Sequence, residues 1–545
     1  MTSSPTPHTE PLNTTEVDVL VVGAGPTGLT AAAEALRHGM SVRIIERLPT
    51  RGTFSKALVV HARTMEVFAL MGIDRKIRDR GLPFAALNLN FNNRKRRVRV
   101  DLLDQPWGDT AYPYWLSLPQ HDTENVLENH LNSLGAEVEW STTLLSLHES
   151  GEVVDASVSR AGGTELIRAR WVIGCDGGRS VVRDQAGMAL NRTGAGATFL
   201  LADVKTTCDL VEDEGHMFLA AEGLLIIVPM PEPRQWRVIA HVATAPEAAP
   251  NTIDSESLDR LISDRAGIQF GAHDVTWTSQ FDLSHGVADR FRAGRVFLAG
   301  DAAHIHSPVG GQGLNTGVQD AHNLMWRVAQ SRHATPESRE KLFNDYEAER
   351  RSSALAMVGG VARVTSLMTS RRRIVQLMRR SIAPLVLSRR FVQAKLARGV
   401  GMLNLSYAKG VSLAGAKNVR VGQRLPNPVL REGGRLHDRL SGSGYRWVLL
   451  GSPATSADAL DPGRECWVGL PLVRVPDTDL ADPARDGNRN RIVLVRPDLY
   501  IAAEGKSPTR ALKSQEVIQE VTRSVDLVRE GTGQNGVHAR TDINP

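Results

Sequence analysis

The spacing of apolar positions changes several times along the 545-residue chain, and each change predicts an element. The first patterned run, "VDVLVV" at residues 17–22, is short, β-branched and mostly apolar, which predicts a central parallel strand buried on both faces. Gly23, Gly25 and Gly28 follow; Leu29, Ala33 and Leu36 then recur at helical spacing, and Gly39 predicts the helix terminator. "SVRII" predicts a second strand, ending at Glu46. Much later, "RWVIG" predicts a strand running into Cys175, Asp176 and Gly177 and then a helix. Residues 295–299 predict another strand, which delivers Gly300 and Asp301 to the loop "SPVGGQG" and a long helix. Between these, residues 190–285 alternate apolar stretches such as "GLLIIVPMP" with polar turns, the pattern of an antiparallel sheet covering a mainly apolar pocket.

Composition changes this picture little. With 41% hydrophobic and 23% charged residues the chain is ordinary for a globular protein, and no apolar run approaches the ~18 residues of a membrane span. Cys175, Cys208 and Cys466 are far apart and form no CxxC, which fits a reducing, cytoplasmic setting rather than a disulfide framework. Residues 1–15 hold one acid and no Lys or Arg, and read as a disordered tail rather than a targeting peptide. The net charge of +5 is local: residues 371–398 hold nine Lys or Arg and no acid, leaving 56 basic against 60 acidic side chains elsewhere, so no nucleic-acid partner is expected. In that segment Ile374, Leu377 and Met378 recur at helical spacing with basic residues on the other faces. Such a helix can lie on an anionic membrane; because Pro384 interrupts the pattern, a packed helix with a solvated or subunit-facing basic side is the preferred reading. "RKRRVRV" at residues 94–100 alternates around the turn-like "NNRK" and predicts a surface hairpin.

The GxGxxG spacing has a mechanical meaning. Its first glycine permits a tight turn, the second lets a pyrophosphate approach the backbone, and the third lets the helix pack on the strand. Glu46, eighteen residues after Gly28, can accept two hydrogen bonds from a ribose diol and would repel a 2′-phosphate. A second GxGxxG, at Gly531, Gly533 and Gly536, has nine residues after it and no helix to bear a phosphate, so it reads as an unstructured tail. The first copy predicts a nucleotide-binding βαβ unit without separating NAD from FAD. His304 and His306 have no third ligand nearby and read as structural, so no metal is expected. No GxSxG, HExxH or GxxxxGK[ST] occurs. His61, His241 and Tyr112 are open candidates for polarising a substrate hydroxyl.

Taken in order, the GxGxxG unit, "CDGGRS" and "GDAAHIHSPVGGQGLNTG" make residues from about Val17 to Tyr407 resemble the class A flavoprotein aromatic monooxygenases, which include para-hydroxybenzoate hydroxylase, phenol hydroxylase and the polyketide hydroxylases. The resemblance implies an α/β fold in four parts. A Rossmann-like FAD-binding domain (16–189 and 286–370, with strands near 84–116 joining the substrate domain) carries an inserted antiparallel β-sheet substrate domain (190–285). A basic helical segment (371–410) and a C-terminal thioredoxin-like α/β domain lacking CxxC (411–545) follow. The ADP half of FAD is expected at Gly23, Gly25, Gly28, Glu46 and Arg47; Asp176 serves FAD and the nicotinamide, and Asp301 the ribityl chain. Gln120 stands where a flavin-contacting glutamine is expected, and Lys56 where many relatives have arginine. Pro308 is expected in the cavity wall, with Gly311, Gly313, Leu314 and Asn315 around the flavin's pyrimidine edge. Reduced flavin is anionic there, and a helix N-terminus offers unpaired N–H groups and partial positive charge.

The implied activity is NADPH- or NADH-consuming hydroxylation of an activated phenolic or polyketide-like aromatic by O₂, through a C4a-hydroperoxyflavin. No second GxGxxG with a strand, helix and acid around it is present, which fits the family's transient docking of the nicotinamide. Baeyer-Villiger-type and epoxidising oxygen insertion share these motifs, as does a flavoprotein that binds or sequesters a reactive aromatic intermediate. A flavin halogenase would carry WxWxIP, and none of the nine tryptophans lies two residues from another. A homodimer is compatible with the resemblance.

Overall fold

The computed structural model describes residues 14–505 except 54–56, 92–95, 108, 221–222, 243–252, 307–309, 371, 408–421, 431–432, 442–446, 452–465, 468–469 and 475–491. The chain forms two compact units, residues 1–322 with 350–404, and residues 323–349 with 405–545. Among the described residues no helix is long and apolar enough to cross a membrane.

In the first unit, Thr14–Val22 lies parallel between Val42–Ile45 and Gly163–Gly174, and Val296–Leu298 extends the sheet beyond Gly163–Gly174. Val19, Leu20 and Val21 have no exposed surface, as a strand covered on both faces requires. The register puts four strand ends on one line: Val22 pairs with Ile45 and with Gly174, and Gly174 with Leu298. Segments far apart in sequence therefore end at one carboxyl edge, where open α/β sheets bind ligands. Pairing begins inside the stretch read as a tail. Thr14 and Thr15 match Leu166 and Ile167, and Thr15 Oγ1 donates to Glu165 at 2.8 Å, so the long partner strand captures both residues.

A second, eight-stranded sheet runs His304–Ile305, Ala272–Ala288, Leu190–Thr206, Gln235–Val242, Leu224–Pro229, Glu214–Leu219, Ala86–Phe91 and Arg96–Asp101. All neighbours are antiparallel except Glu214–Leu219 with Ala86–Phe91. Strand alternation gives it two different faces. One carries Ala202, Phe218, Leu225, Ile227 and Val238 into a core closed by Leu258 and Ile262 of the helix Ser255–Ala266. That helix is bounded locally: Asp254 accepts a hydrogen bond from the Ser257 N–H, and Gly267 ends the helix at φ +63. The other face presents Phe199, Leu201, Met217, Ile226 and Ile239, with Asp203, Arg237 and His241 among them.

The basic segment forms three helices, Arg373–Ser381, Ala383–Leu387 and Arg390–Val400, with Pro384 in the first turn of the second. Its reading as a packed helix is corrected here. Ile374, Leu377 and Met378 are exposed, while Arg379 turns inward and donates to the carbonyls of Met368 and Ala220. Those carbonyls need a donor that no apolar side chain offers, so Arg379 faces the body while Arg372, Arg373 and Arg380 stay exposed beside the apolar stripe.

In the second unit, Val448–Gly451 lies parallel to Leu470–Arg474 and antiparallel to Ile492–Val495, which returns as Ile501–Gly505. Buried Glu349 accepts from Arg327 and Arg496, and Asp498 from Arg496 and Asn323. Such a network adds little as a whole but is costly to break at one member. The second GxGxxG lies outside the described residues.

Candidate functional site

Three loops leave the aligned strand ends and press on one another. Gly23 has φ +104, and a Cβ there would lie 2.4 Å from the Cys175 carbonyl oxygen, so only glycine lets the first loop pass the second. A Cβ on Gly28 would lie 1.9 Å from the Gly23 carbonyl oxygen. Gly25 differs, since a Cβ there meets no protein atom within 4 Å. The third loop closes on the same helix: a Cβ on Gly300 or on Gly317 would strike Thr27 Oγ1, at 2.5 and 2.2 Å. Thr27 thus keys the helix Pro26–Arg37 against the Gly300 turn and the helix Gly313–Ser331. With Pro26 in its first turn, the helix directs its unpaired N–H groups beside the open position at Gly25.

The acids at these loops are held differently. Glu46 accepts the Ala24 N–H on Oε2 (2.9 Å) and the Leu48 N–H on Oε1 (3.1 Å), with lone pairs to spare. Asp176 Oδ2 accepts from the N–H groups of Val181 and Val182 (2.7 and 3.1 Å), while its Oδ1 is buried with no hydrogen-bond partner among the described residues. Asp301 is exposed, in the 3₁₀ turn Gly300–Ala302. Arg47 is exposed, and Gln120 opens the helix Gln120–Ser133 and donates to Glu124 at 2.7 Å. Lys56 and Pro308 lie outside the described residues.

The turn carrying Asp301 rests on Asp320, which sequence reading passed over. Fully buried, Asp320 accepts from the Gly300 N–H (3.0 Å) and His304 Nε2 (2.7 Å) on Oδ2, and from Arg350 Nε (2.6 Å) on Oδ1. Burial alone would raise its pKa; Arg350 and His304 outweigh that and hold it below the ordinary carboxylate value. His304 is thereby committed to a carboxylate. A signal existed in the sequence: Asp320 falls among Val318, Ala321, Leu324 and Met325, and an acid on a buried helical stripe requires a buried partner.

The glycine-rich loop is fixed from the opposite side. Asn315 Oδ1 accepts the His61 N–H (2.8 Å), and its Nδ2 donates to the carbonyls of Val59 (2.8 Å) and Gly311 (2.7 Å). Gly311 and Gly313 are half-buried, as is Leu314 at the start of the helix. His61 donates from Nε2 to the Gly310 carbonyl at 2.8 Å, and its buried Nδ1 has no partner among the described residues. A proton on Nδ1 would add an uncompensated charge, and burial pushes the His61 pKa down to about 4. The folded state then binds fewer protons than the unfolded chain between about pH 6.5 and about pH 4, so stability is full above that window and falls as pH falls through it. Wild type is expected to lose about 2 kcal/mol more than His61→Gln between pH 7 and about pH 4.5 in denaturant unfolding. Equal losses would contradict a neutral buried imidazole.

The three hydroxyl-polarising candidates are not brought together. Tyr112 donates its hydroxyl to Asp74 at 2.8 Å, and burial with that acid pushes its pKa up. His241 lies on the apolar sheet face, edge-on to Phe199 at 5.6 Å. On the same face Arg237 pairs with Asp203 through two 2.7 Å bonds and donates to the Ala57 carbonyl (3.2 Å), two residues before the Val59 carbonyl that Asn315 holds.

A family model described as an FAD binding domain matches residues 16–360, spanning all three loops and the sheet. The chain belongs to this family. Its cofactor is FAD, and the residues present fit it: Gly25 and a helix N-terminus leave room for a pyrophosphate, and Asp176 Oδ1 awaits a donor. Among relatives of this FAD-binding chain, the 6-methylpretetramide 4-monooxygenase of Streptomyces rimosus is 32% identical over 517 residues, covering 90% of each chain. The rifampicin monooxygenase of Streptomyces venezuelae is 33% identical over 435 residues, 78% of this chain and 85% of that one. The solved structure of OxyS anhydrotetracycline hydroxylase from Streptomyces rimosus superposes with a TM-score of 0.72 at 31% identity, covering 92% of this chain and 99% of that one.

Proposed function

We propose that this FAD-binding protein is a flavin-dependent monooxygenase that hydroxylates an activated aromatic compound, polyketide-like or phenolic, with O₂ and NADPH or NADH as co-substrates. The observation that carries this reading is the alignment of four strand ends beneath the loops, beside a sheet face built from Phe199, Leu201, Met217, Ile226 and Ile239. The relatives support the substrate class, since those reported act on 6-methylpretetramide, rifampicin and anhydrotetracycline. Bound FAD supplies the oxygen-transferring chemistry once the nicotinamide has reduced it. The chain's own work is binding, orientation and exclusion of water. Gly25 and the N-terminus of Pro26–Arg37 take the pyrophosphate, Glu46 the ribose diol, and Asp301 the ribityl hydroxyls. Gly311, Gly313 and Leu314 present the next helix N-terminus to the flavin's pyrimidine edge, held there by Asn315 and His61. Of the three hydroxyl-polarising candidates, His241 is the one on the apolar face, and it takes the substrate hydroxyl.

The remaining parts of the layout belong to the same proposal. Residues 190–285 cover the substrate, and the C-terminal unit is thioredoxin-like. Its sheet order supports this: the strand from 448 is parallel to that from 470 and antiparallel to that from 492, which returns as a hairpin. Without CxxC it performs no thiol chemistry. Three dispersed cysteines support a cytoplasmic setting.

The test mixes FAD-loaded protein with candidate phenols and follows nicotinamide oxidation, oxygen uptake and a product heavier by one oxygen atom. Failure of both nicotinamides to reduce the bound FAD would overturn the reading, and tight binding of a candidate aromatic without stimulated oxygen uptake favours a sequestering role. Asp301→Ala is expected to weaken FAD at least about tenfold, the loss of charge-assisted hydrogen bonds, in a protein that still folds because Asp301 is exposed. Stoichiometric flavin retained after dialysis would contradict the ribityl assignment.

A further inference from the structure

The helices Arg373–Ser381, Ala383–Leu387 and Arg390–Val400 leave large apolar side chains exposed. Ile374 is 70% exposed, Leu385 66% and Phe391 78%, with Leu377, Met378 and Ile382 also exposed. Steps from 374 to 377, 378, 382 and 385 keep helical spacing across the break beside Pro384, so the apolar stripe is continuous. The inward side is mixed: Pro384 and Ala397 are buried there, Arg379 donates to the carbonyls of Met368 and Ala220, and buried Gln393 donates to the carbonyls of Arg99 and Leu387. So many large apolar side chains exposed within one short segment exceed the ordinary scatter of a protein surface.

The charges around the stripe narrow what can cover it. Arg390 and Arg398 pair with Asp104 and Asp109, which lie outside the segment. The exposed side chains of Arg372, Arg373, Arg380, Arg389 and Lys395 have no acid partner among the described residues. A second copy docked on the same face by two-fold symmetry would set these cations against themselves, with no acid in the segment to separate them. An anionic bilayer supplies both missing parts: hydrocarbon for Ile374, Leu377, Leu385 and Phe391, and phosphates for the arginines.

We propose that residues 372–398 form a docking surface for an anionic lipid bilayer, lying flat with the apolar stripe at the boundary of headgroups and acyl chains. The proposal does not depend on the oxygenation reading.

The full chain with FAD bound is sedimented with vesicles of phosphatidylcholine alone and of phosphatidylcholine with phosphatidylglycerol. Binding is expected only with phosphatidylglycerol, weakening as salt rises from about 0.1 M to about 1 M. Arg373→Ala and Arg380→Ala are expected to lower the partition coefficient about fivefold each. Leu385→Glu with Phe391→Glu should abolish binding. Flavin content and thermal midpoint, unchanged in these variants, show that they fold. Absence of sedimentation with either vesicle overturns the proposal, as does binding that the variants leave intact. A dimer in light scattering that Leu385→Glu dissociates, with vesicles ignored, overturns it in favour of a subunit interface, and binding only to an added acidic protein overturns it likewise.

Discussion

Asp320→Ala is expected to lower the stability of the FAD-free protein by about 3–5 kcal/mol and to abolish stoichiometric FAD binding. The size follows from what the carboxylate holds. Arg350, His304 and the Gly300 N–H converge on it without exposed surface, so its removal takes from a buried guanidinium the carboxylate it faces and from a buried N–H its acceptor. The effect on FAD follows from position, because the freed N–H belongs to the turn that carries Asp301. Two further variants separate the roles. Asp320→Asn keeps an acceptor for Gly300 but loses the charge opposite Arg350, and should fall between wild type and alanine. Asp320→Leu with Arg350→Met replaces the pair by apolar groups, and should recover much of the stability while FAD stays weak. Denaturant unfolding and flavin absorbance per protein measure the two quantities. If Asp320→Ala keeps both, the carboxylate does not position the turn.

The second large effect is a contrast between glycines three residues apart. Gly28→Ala is expected to cost several kcal/mol, because its Cβ would lie 1.9 Å from the Gly23 carbonyl oxygen and either the helix or the strand end must move. Gly25→Ala is expected to leave the stability of the FAD-free protein within about 0.5 kcal/mol, since its φ of −74° suits alanine and the new Cβ meets no protein atom. It should nevertheless weaken FAD by about tenfold or more, because the added methyl occupies the ground where the pyrophosphate approaches. Isothermal titration of FAD with thermal unfolding of the FAD-free protein checks both. Equal losses of stability would mean that Gly25 serves the fold rather than the cofactor.

These glycines show how much was legible from residue order. A run such as "VDVLVV" followed by GxGxxG states its own strand, turn and helix, because the constraints act within thirty or so residues. The acids at 46, 176 and 301 were legible as ends of strands, yet nothing local says that those ends stand in one row; the parallel register does. Pairs at a distance were harder still. His61 and Asn315 lie in separate motifs, and their hydrogen bond exists only because the glycine loop folds back on Val59. Tyr112 is equivalent to His61 as a candidate in the sequence and differs from it in the fold, where its hydroxyl donates to Asp74.

The segment 371–398 marks the boundary most clearly. Its periodicity determined that Ile374, Leu377 and Met378 share a side of a helix, and its composition determined that this helix is basic. Apolar runs between polar turns also set an antiparallel sheet within residues 190–285, and the glycines with Glu46 set a nucleotide cradle. Tertiary structure alone decided that the apolar side of the basic helix points outward, that Asp320 supports the Gly300 turn, and that one sheet face is covered while the other adjoins the loops. The reason is physical: spacing along a chain specifies which side chains share a face, whereas what lies opposite that face depends on segments that meet only when the chain has folded.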